Sequence, residues 1–444
     1  MILRVGVENY RSYRDYAELS FVSTSRSDRP TWRPPSRHAK YGVLPVVGLW
    51  GANASGKSNF LRAIEDLTQH VAISYIGLGP DSSIPWAPFR LNKDSKAPPT
   101  QLDIDFEVAS TRYHYGFRFT AARFVQEWLY AYVQTKRRVL FERNATDEAR
   151  PWYFGPSLGG AKNAIVKAIR PNSLFLSAAA QHNHDQLGPI HRALVQMVAT
   201  PRPLELAGYP LFSKNAVLFE PAAQRVVLEF LENADLGVVD FHEVENSPSL
   251  TSAREAFTHL KSLMPMSQDA LGNLPNDLRE IWLVHGPSDD HWDLPPAFES
   301  AGTHVLLSRL ESILTVLRQG GLLVIDELDA GMHPHLCAIL VDLFTHEASN
   351  PRGAQILFSA QNSGILAHLR TDEVNLIDKN RDGVSSVRAA SDYRIRTRDK
   401  LQSLYEDGRL RGVPVLGDLR GSVEAFLSGV DRSEADPIEA VQSA

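Results

Sequence analysis

Apolar positions along the chain follow two periods, and each period predicts a kind of element. Ile2, Val5 and Val7 open a strand-like stretch that runs into Glu8-Asn9-Tyr10-Arg11-Ser12-Tyr13. The alternating segment Ala17 to Phe21 reads as its antiparallel partner. Leu102 to Val108 and Tyr113 to Phe119 alternate strictly, and Phe124 to Val133 continues the pattern. Together they predict an antiparallel meander with one solvated face. Lys136-Arg137-Arg138 is expected at the turn before Val139 to Glu142, and Ser173 to Ser177 as a short strand ending at Ala178-Ala179-Ala180-Gln181.

Short apolar runs at Val43 to Trp50, Leu322 to Ile325, Gln355 to Ser359 and Val374 to Ile377 predict a second set of strands. Helical spacing marks Phe60, Leu61, Ile64 and Leu67 within Asn59 to Gln69, an apolar stretch through Leu317, and His335 to Phe344. Val226 to Glu232 and Ala253 to Met264 show the same spacing among prolines. The expected class is α/β, with a mixed sheet, an antiparallel β subdomain and a helical insertion. A first lobe is expected at 1–185, a mainly helical insertion at 186–290, a second lobe at 291–390 and a charged tail at 391–444.

Composition narrows this picture without changing it. The 444 residues suffice for two to three domains' worth of chain. A net charge of −6 gives no global basic field of the kind that marks a nucleic-acid binder. Local basic patches remain: Arg26, Arg29, Arg33, Arg37 and Lys40 in an expected exposed loop, the run around Lys136, and Arg394, Arg396, Arg398, Lys400, Arg409 and Arg411 in the tail. The single cysteine, Cys337, excludes an internal disulfide and any multi-cysteine zinc site. No apolar run approaches the ~18 residues of a membrane span, and the charged start does not read as a signal peptide. The expectation is a soluble, cytoplasmic protein with no membrane partner.

Chemistry enters at Gly51-Ala52-Asn53-Ala54-Ser55-Gly56-Lys57-Ser58, which fits G-x-x-x-x-G-K-[ST] between a predicted strand and a predicted helix. Such a loop turns its N–H groups on phosphate oxygens at a helix N-terminus. Lys57 would reach the β- and γ-phosphates and the Ser58 hydroxyl would ligate Mg²⁺. The apolar run that ends in Asp326-Glu327 matches the second half of such a site. Asp326 would hold Mg²⁺ through its water shell, and Glu327 would orient the attacking water or take its proton.

With these residues in order, the chain resembles the ABC-type ATPases of the SMC/RecF/OLD branch. More closely it is similar to the stand-alone AAA-family ATP-binding proteins, of the AbiLii/RloB-associated type, from bacterial phage-defence operons. The marks are Glu8 to Tyr13, Gly51 to Asn59, Phe175 to Gln181, Ser300-Ala301-Gly302-Thr303, and Asp326 to Pro334. The resemblance implies an ABC/SMC-like ATPase head using ATP and Mg²⁺. It implies that Gln181 contacts the metal and the attacking water, that Asn53 and Asn59 belong to the nucleotide loop, and that Ser300 and Gly302 cap the γ-phosphate held by a second subunit. Asp329 would work across the same interface. His333 with His335 lacks a third ligand and reads as packing rather than as a metal pair. One position departs from the pattern. Where the family carries a switch histidine this chain has Gln361, which cannot carry a proton at neutral pH. Slow hydrolysis is therefore expected.

The resemblance implies a homodimer or higher homo-oligomer that closes on ATP and regulates a separate effector, an RloB-like or TOPRIM-like nuclease, since the tail has no TOPRIM domain. The alternative is a RecF-like clamp that binds DNA directly. A third reading is a scaffold that binds ATP without splitting it, for which Gln361 is the argument.

Overall fold

The computed structural model describes residues 1–24, 32–91, 98–133, 136–200, 204–206, 209–234, 237–263, 277–286, 290–395, 400–410, 412 and 419–427. Arg26, Arg29, Arg396, Arg398, Arg411 and the acidic end of the tail lie outside them.

The antiparallel prediction is met. Strands β1 (Ile2–Glu8), β2 (Ala17–Ser20), β4 (Thr100–Val108), β5 (Thr111–Phe119), β6 (Phe124–Val133), β7 (Lys136–Asn144) and β8 (Trp152–Phe154) form one sheet in the order β2-β1-β4-β5-β6-β7-β8. Its inner face carries Val5, Ile104, Tyr115 and Leu129 into the core. Its outer face is polar but internally paired: Arg4 reaches Asp103 at 2.6 Å and Asp105 at 3.2 Å. Lys136, Arg137 and Arg138 are not in the turn. They continue β7, paired with Val133, Tyr132 and Ala131, and Arg137 lies over the Tyr130 ring at 4.6 Å. Aromatic partners across the ladder let the basic residues extend the strand.

The apolar runs form a six-stranded sheet in the order β18-β17-β3-β16-β15-β9. Its members are β3 (Val46–Trp50), β9 (Val198–Ala199), β15 (Leu322–Ile325), β16 (Gln355–Ser359), β17 (Val374–Lys379) and β18 (Ser385–Ala389). The β17–β3, β3–β16, β16–β15 and β15–β9 pairs are parallel, and β18 is an antiparallel edge. Both faces are covered, which is why these strands lack alternation. Val47, Leu49, Val324 and Leu357 enter one core with the seven-stranded sheet. Val46, Trp50, Ile325, Ile356 and Phe358 enter a second.

The helices divide between these cores. The first takes apolar residues of α1 (Lys57–Ile73), α2 (Lys162–Ala168), α3 (Phe175–Gln181) and α4 (Leu187–Met197). The second takes those of α5 (Pro221–Asn233), α7 (Ala301–Gln319) and α8 (Pro334–Thr345), while α6 (Pro248–Leu263) packs on a further sheet.

Other expectations are corrected or extended. Ser173 to Ser177 is not a strand; Phe175 starts α3, because the buried Glu127 carboxylate accepts the N–H groups of Phe175 at 2.6 Å and Leu176 at 3.0 Å. Residues 186–290 are not helices alone; beside α4, α5 and α6 they carry strands. They supply β10 (Leu204–Leu206), β11 (Tyr209–Ser213), β12 (Val238–Val244) and β13 (Leu278–His285), which with β14 (Trp292–Leu294) form an antiparallel sheet. The described part of the charged tail forms two short helices. Helix α9 (Leu401–Glu406) buries Leu401, Leu404 and Tyr405 in the second core, whereas α10 (Leu419–Leu427) exposes Phe426 and Leu427. In the loop at 32–40, the Arg33 side chain is only 8% exposed rather than solvated, with Asp372 3.6 Å away.

Candidate functional site

Parallel strands β3, β16 and β15 lie side by side, so the loops after them share one edge of the sheet, the usual crevice of an open α/β fold. The phosphate loop follows β3, Asp326-Glu327 follows β15 and Gln361 follows β16. Three stretches far apart in sequence therefore meet by topology.

The loop is fixed by its neighbours. A Cβ on Gly51 would lie 2.3 Å from the Ile377 carbonyl oxygen. Gly56 caps α1 at φ 119°, and a Cβ there would lie 2.4 Å from Ser385 Oγ and 2.8 Å from Ser12 Oγ. Only glycine suits both the torsion and the space. Tyr13 donates its hydroxyl to the Gly56 carbonyl at 3.0 Å, Asn59 donates to Ser12 Oγ at 2.8 Å, and Ser385 donates to the Ser55 carbonyl. The N-terminal Tyr10–Tyr13 corner thus braces the loop from outside. Asn53, Ala54 and Ser58 are exposed, with Ala54 in the left-handed region at φ 60°.

Lys57 is buried and donates to the Gly51 carbonyl at 2.7 Å and the Ala52 carbonyl at 3.2 Å. Burial pushes its ammonium pKa down, against the opposing pull of Asp326, Glu327 and Asp329. The carboxylates after β15 therefore lie within electrostatic reach of the loop's lysine.

A residue not singled out in the sequence, Ser359, organises those carboxylates. Its hydroxyl donates to Asp326 Oδ1 at 2.5 Å and accepts the Glu327 N–H at 2.8 Å. Glu327 is held at φ 51°, a left-handed conformation rare for a non-glycine residue. The Gln361 side-chain amide reaches Glu327 Oε1 at 3.4 Å. Asp329 is engaged within its own chain: Oδ2 accepts the N–H groups of Gln361 at 2.9 Å and Asn362 at 2.7 Å. It sets the loop that carries Gln361. Arg309, also unforeseen, donates from α7 to the Asp326 carbonyl at 3.1 Å. The signal for Ser359 was its place at the end of the strand beside β15. Arg309 sat on an otherwise ordinary amphipathic helix.

Ser300 is the N-cap of α7 and accepts the Thr303 N–H at 3.1 Å. A Cβ on Gly302 would come within 2.6 Å of the Gly331 carbonyl, so the helix tip packs closely on the turn after Asp329. Gln181 lies exposed at the end of α3. Among the described residues no hydrogen bond ties its side chain to Lys57 or Asp326. His333 caps α8 and its ring stacks on His335 at 5.2 Å. Among the described residues no group of three His, Cys, Asp or Glu side chains is placed to hold a metal.

Beside the loop opens a cleft of about 450 Å³, lined by Arg11, Ser12, Asn59, Phe89, Arg90 and Lys379 among others. For a metal, the donors at hand are the Ser58 hydroxyl and the free oxygen of Asp326. Hard oxygen donors of this kind suit Mg²⁺ rather than a soft ion.

A family model described as "AAA domain, putative AbiEii toxin, Type IV TA system" matches residues 46–367, more than half of the chain. Among solved structures, the chain is similar to the SMC head domain from Thermotoga maritima at 11% identity, with a TM-score of 0.37 over 87% of this chain and 98% of that one. No curated protein matches it in sequence. Among the described residues no helix is long and apolar enough to cross a membrane.

Proposed function

The chain belongs to the AAA-domain family whose model spans residues 46–367, and from that premise we propose that it binds ATP with Mg²⁺ and hydrolyses it slowly, using the bound nucleotide to join two copies and control a separate effector. One observation carries this reading. The loops that hold Lys57, Asp326-Glu327 and Gln361 follow neighbouring parallel strands and so share one edge of the sheet, with Gln361 reaching Glu327 Oε1 at 3.4 Å.

Each residue then has a role. N–H groups from Ala52 to Ser58 cradle the phosphates at the start of α1, and Lys57 turns from the Gly51 and Ala52 carbonyls to the β- and γ-oxygens. Ser58 and Asp326 would hold Mg²⁺, which would supply positive charge to offset that of the phosphates. Glu327, aimed by its strained backbone and by Gln361, accepts the proton of the attacking water. Gln361 contributes a hydrogen bond but no positive charge, which favours a timed switch over a fast motor; turnover is expected below ~10 s⁻¹. The cleft beside Asn59 supports placing the nucleoside end there, with Arg11 near its polar edge. Ser300 caps the nucleotide of a second copy from the N-terminus of α7. A separate nuclease of RloB-like or TOPRIM-like kind, in phage defence, is the effector this reading takes.

The competing DNA clamp needs free basic residues. Among the described ones, Arg33 has Asp372 3.6 Å away and Arg143 donates to the Ser173 carbonyl at 2.8 Å, whereas Arg37, Lys136, Arg138 and Arg394 are exposed. The net charge of −6 gives no global basic field, and on that ground we favour the switch. Glu327→Gln should retain nucleotide binding and lose ~10²–10⁴-fold in steady-state ATP hydrolysis. Equal rates in the two proteins would leave only an ATP-binding scaffold.

A further inference from the structure

The rim around Ser300 carries exposed groups that the nucleotide chemistry does not use. Phe298 is 74% exposed, two residues before Ser300. It is not on a loose loop. It ends a proline turn in which Phe298 N–H donates to the Pro295 carbonyl at 3.0 Å, and His304 meets the Pro296 carbonyl at 2.9 Å. Trp292, 62% exposed, stands on β14 directly opposite His285, whose ring meets Glu299 at 2.8 Å. The two aromatics thus flank the same helix tip. Asp290 and Asp293 are exposed beside Trp292. The rim is acidic and aromatic.

The rim around the phosphate loop has the opposite character. Arg90 and Lys379 are exposed at the mouth of the cleft, and Leu91 beside them is 72% exposed. An apolar side chain held out on a rigid turn costs hydration unless something covers it. One chain carrying both rims meets the condition for a two-fold contact, in which each copy's first patch covers its partner's second.

We infer that Phe298 and Trp292, with Asp290 and Asp293, dock on Arg90, Leu91 and Lys379 of a second copy. This contact selects and aligns the pair before nucleotide closes it. The inference rests on the two-copy reading above and adds the surface that makes the pairing specific. Complementary charge sets partner choice and encounter rate, and a rigid aromatic anchor supplies the affinity.

The test uses the full chain carrying Glu327→Gln, with Mg²⁺ and ATP, and reads the dimer dissociation constant by sedimentation velocity. Arg90→Glu with Lys379→Glu, or Asp290→Lys with Asp293→Lys, is expected to weaken the dimer by about 10-fold or more. Phe298→Ala should do the same. Mixing the two charge-reversed proteins should restore pairing, because one interface of the mixed dimer is then reversed on both sides and the other is native. Repaired nucleotide binding cannot produce that rescue, since each copy keeps its own substitutions. A dimer indifferent to these changes, or a mixture that fails to recover, overturns the docking surface and leaves the ATP reading standing. A Glu327→Gln chain that stays monomeric with ATP overturns both.

Discussion

At the scale of single residues, the site depends on a backbone conformation that costs energy. A non-glycine residue in the left-handed region is disfavoured by about 1 kcal/mol, and Glu327 is kept there by the hydroxyl of Ser359. Buried groups elsewhere show the same dependence on neighbours. His70 on α1 packs edge-on against Phe119 at 4.9 Å and Phe117 at 5.9 Å, and burial holds its pKa down at about 4, against a weaker upward pull from Asp66. The unfolded chain would take up this proton near pH 6.5. Between pH 6.5 and 4 the unfolded state therefore binds more protons, and stability falls as the solution is acidified. His70 alone should remove about 3 kcal/mol across that window. In His70→Leu, urea unfolding at pH 7, 5.5 and 4.5 should show a correspondingly shallower loss. The phosphate loop and Asp326-Glu327 were legible in the sequence because their chemistry is local. Ser359 and Arg309 were not, because their partners are 32 and 17 residues away.

At the scale of elements, period predicted the long strands and helices but failed where a tertiary partner decides. Helix α3 has seven residues, too few to be stable alone, and Ser173 to Ser177 is as compatible with a strand as with a helix. Glu127 on β6 tips the balance by satisfying two N–H groups at the helix start, and it also accepts from Tyr115 at 3.0 Å. Glu127→Ala would strand those donors in the core. The expected cost is about 3 kcal/mol or more, with lost hydrogen-exchange protection in Phe175–Gln181, while Glu127→Gln should retain most of both. Since α3 ends in Gln181, this variant also tests whether placing that glutamine matters to turnover. The sheet inside 186–290 escaped notice for a different reason. Strands β12 and β13 pair across more than thirty intervening residues, and no local turn announces them.

At the scale of the whole molecule, two cores share one parallel sheet, and a buried glutamine ties that sheet to the antiparallel one. Gln355 on β16 accepts the Ile2 N–H at 2.7 Å and donates to the carbonyls of Ile2 at 3.0 Å and Leu44 at 3.3 Å. The sequence read it only as the first residue of a strand. Gln355→Leu should cost on the order of 3 kcal/mol by orphaning these groups, seen as a lower denaturant midpoint with unchanged slope. Gly302 offers a longer consequence. Its backbone lies so close to the Gly331 carbonyl that the start of α7 packs on the turn after Asp329 with no room for a side chain between them. If two copies pair as proposed, the lid each would lend its neighbour would be coupled to the turn after its own Asp329. Cleavage in one chamber would lift the cover from the other, and the partners would part in a single stroke.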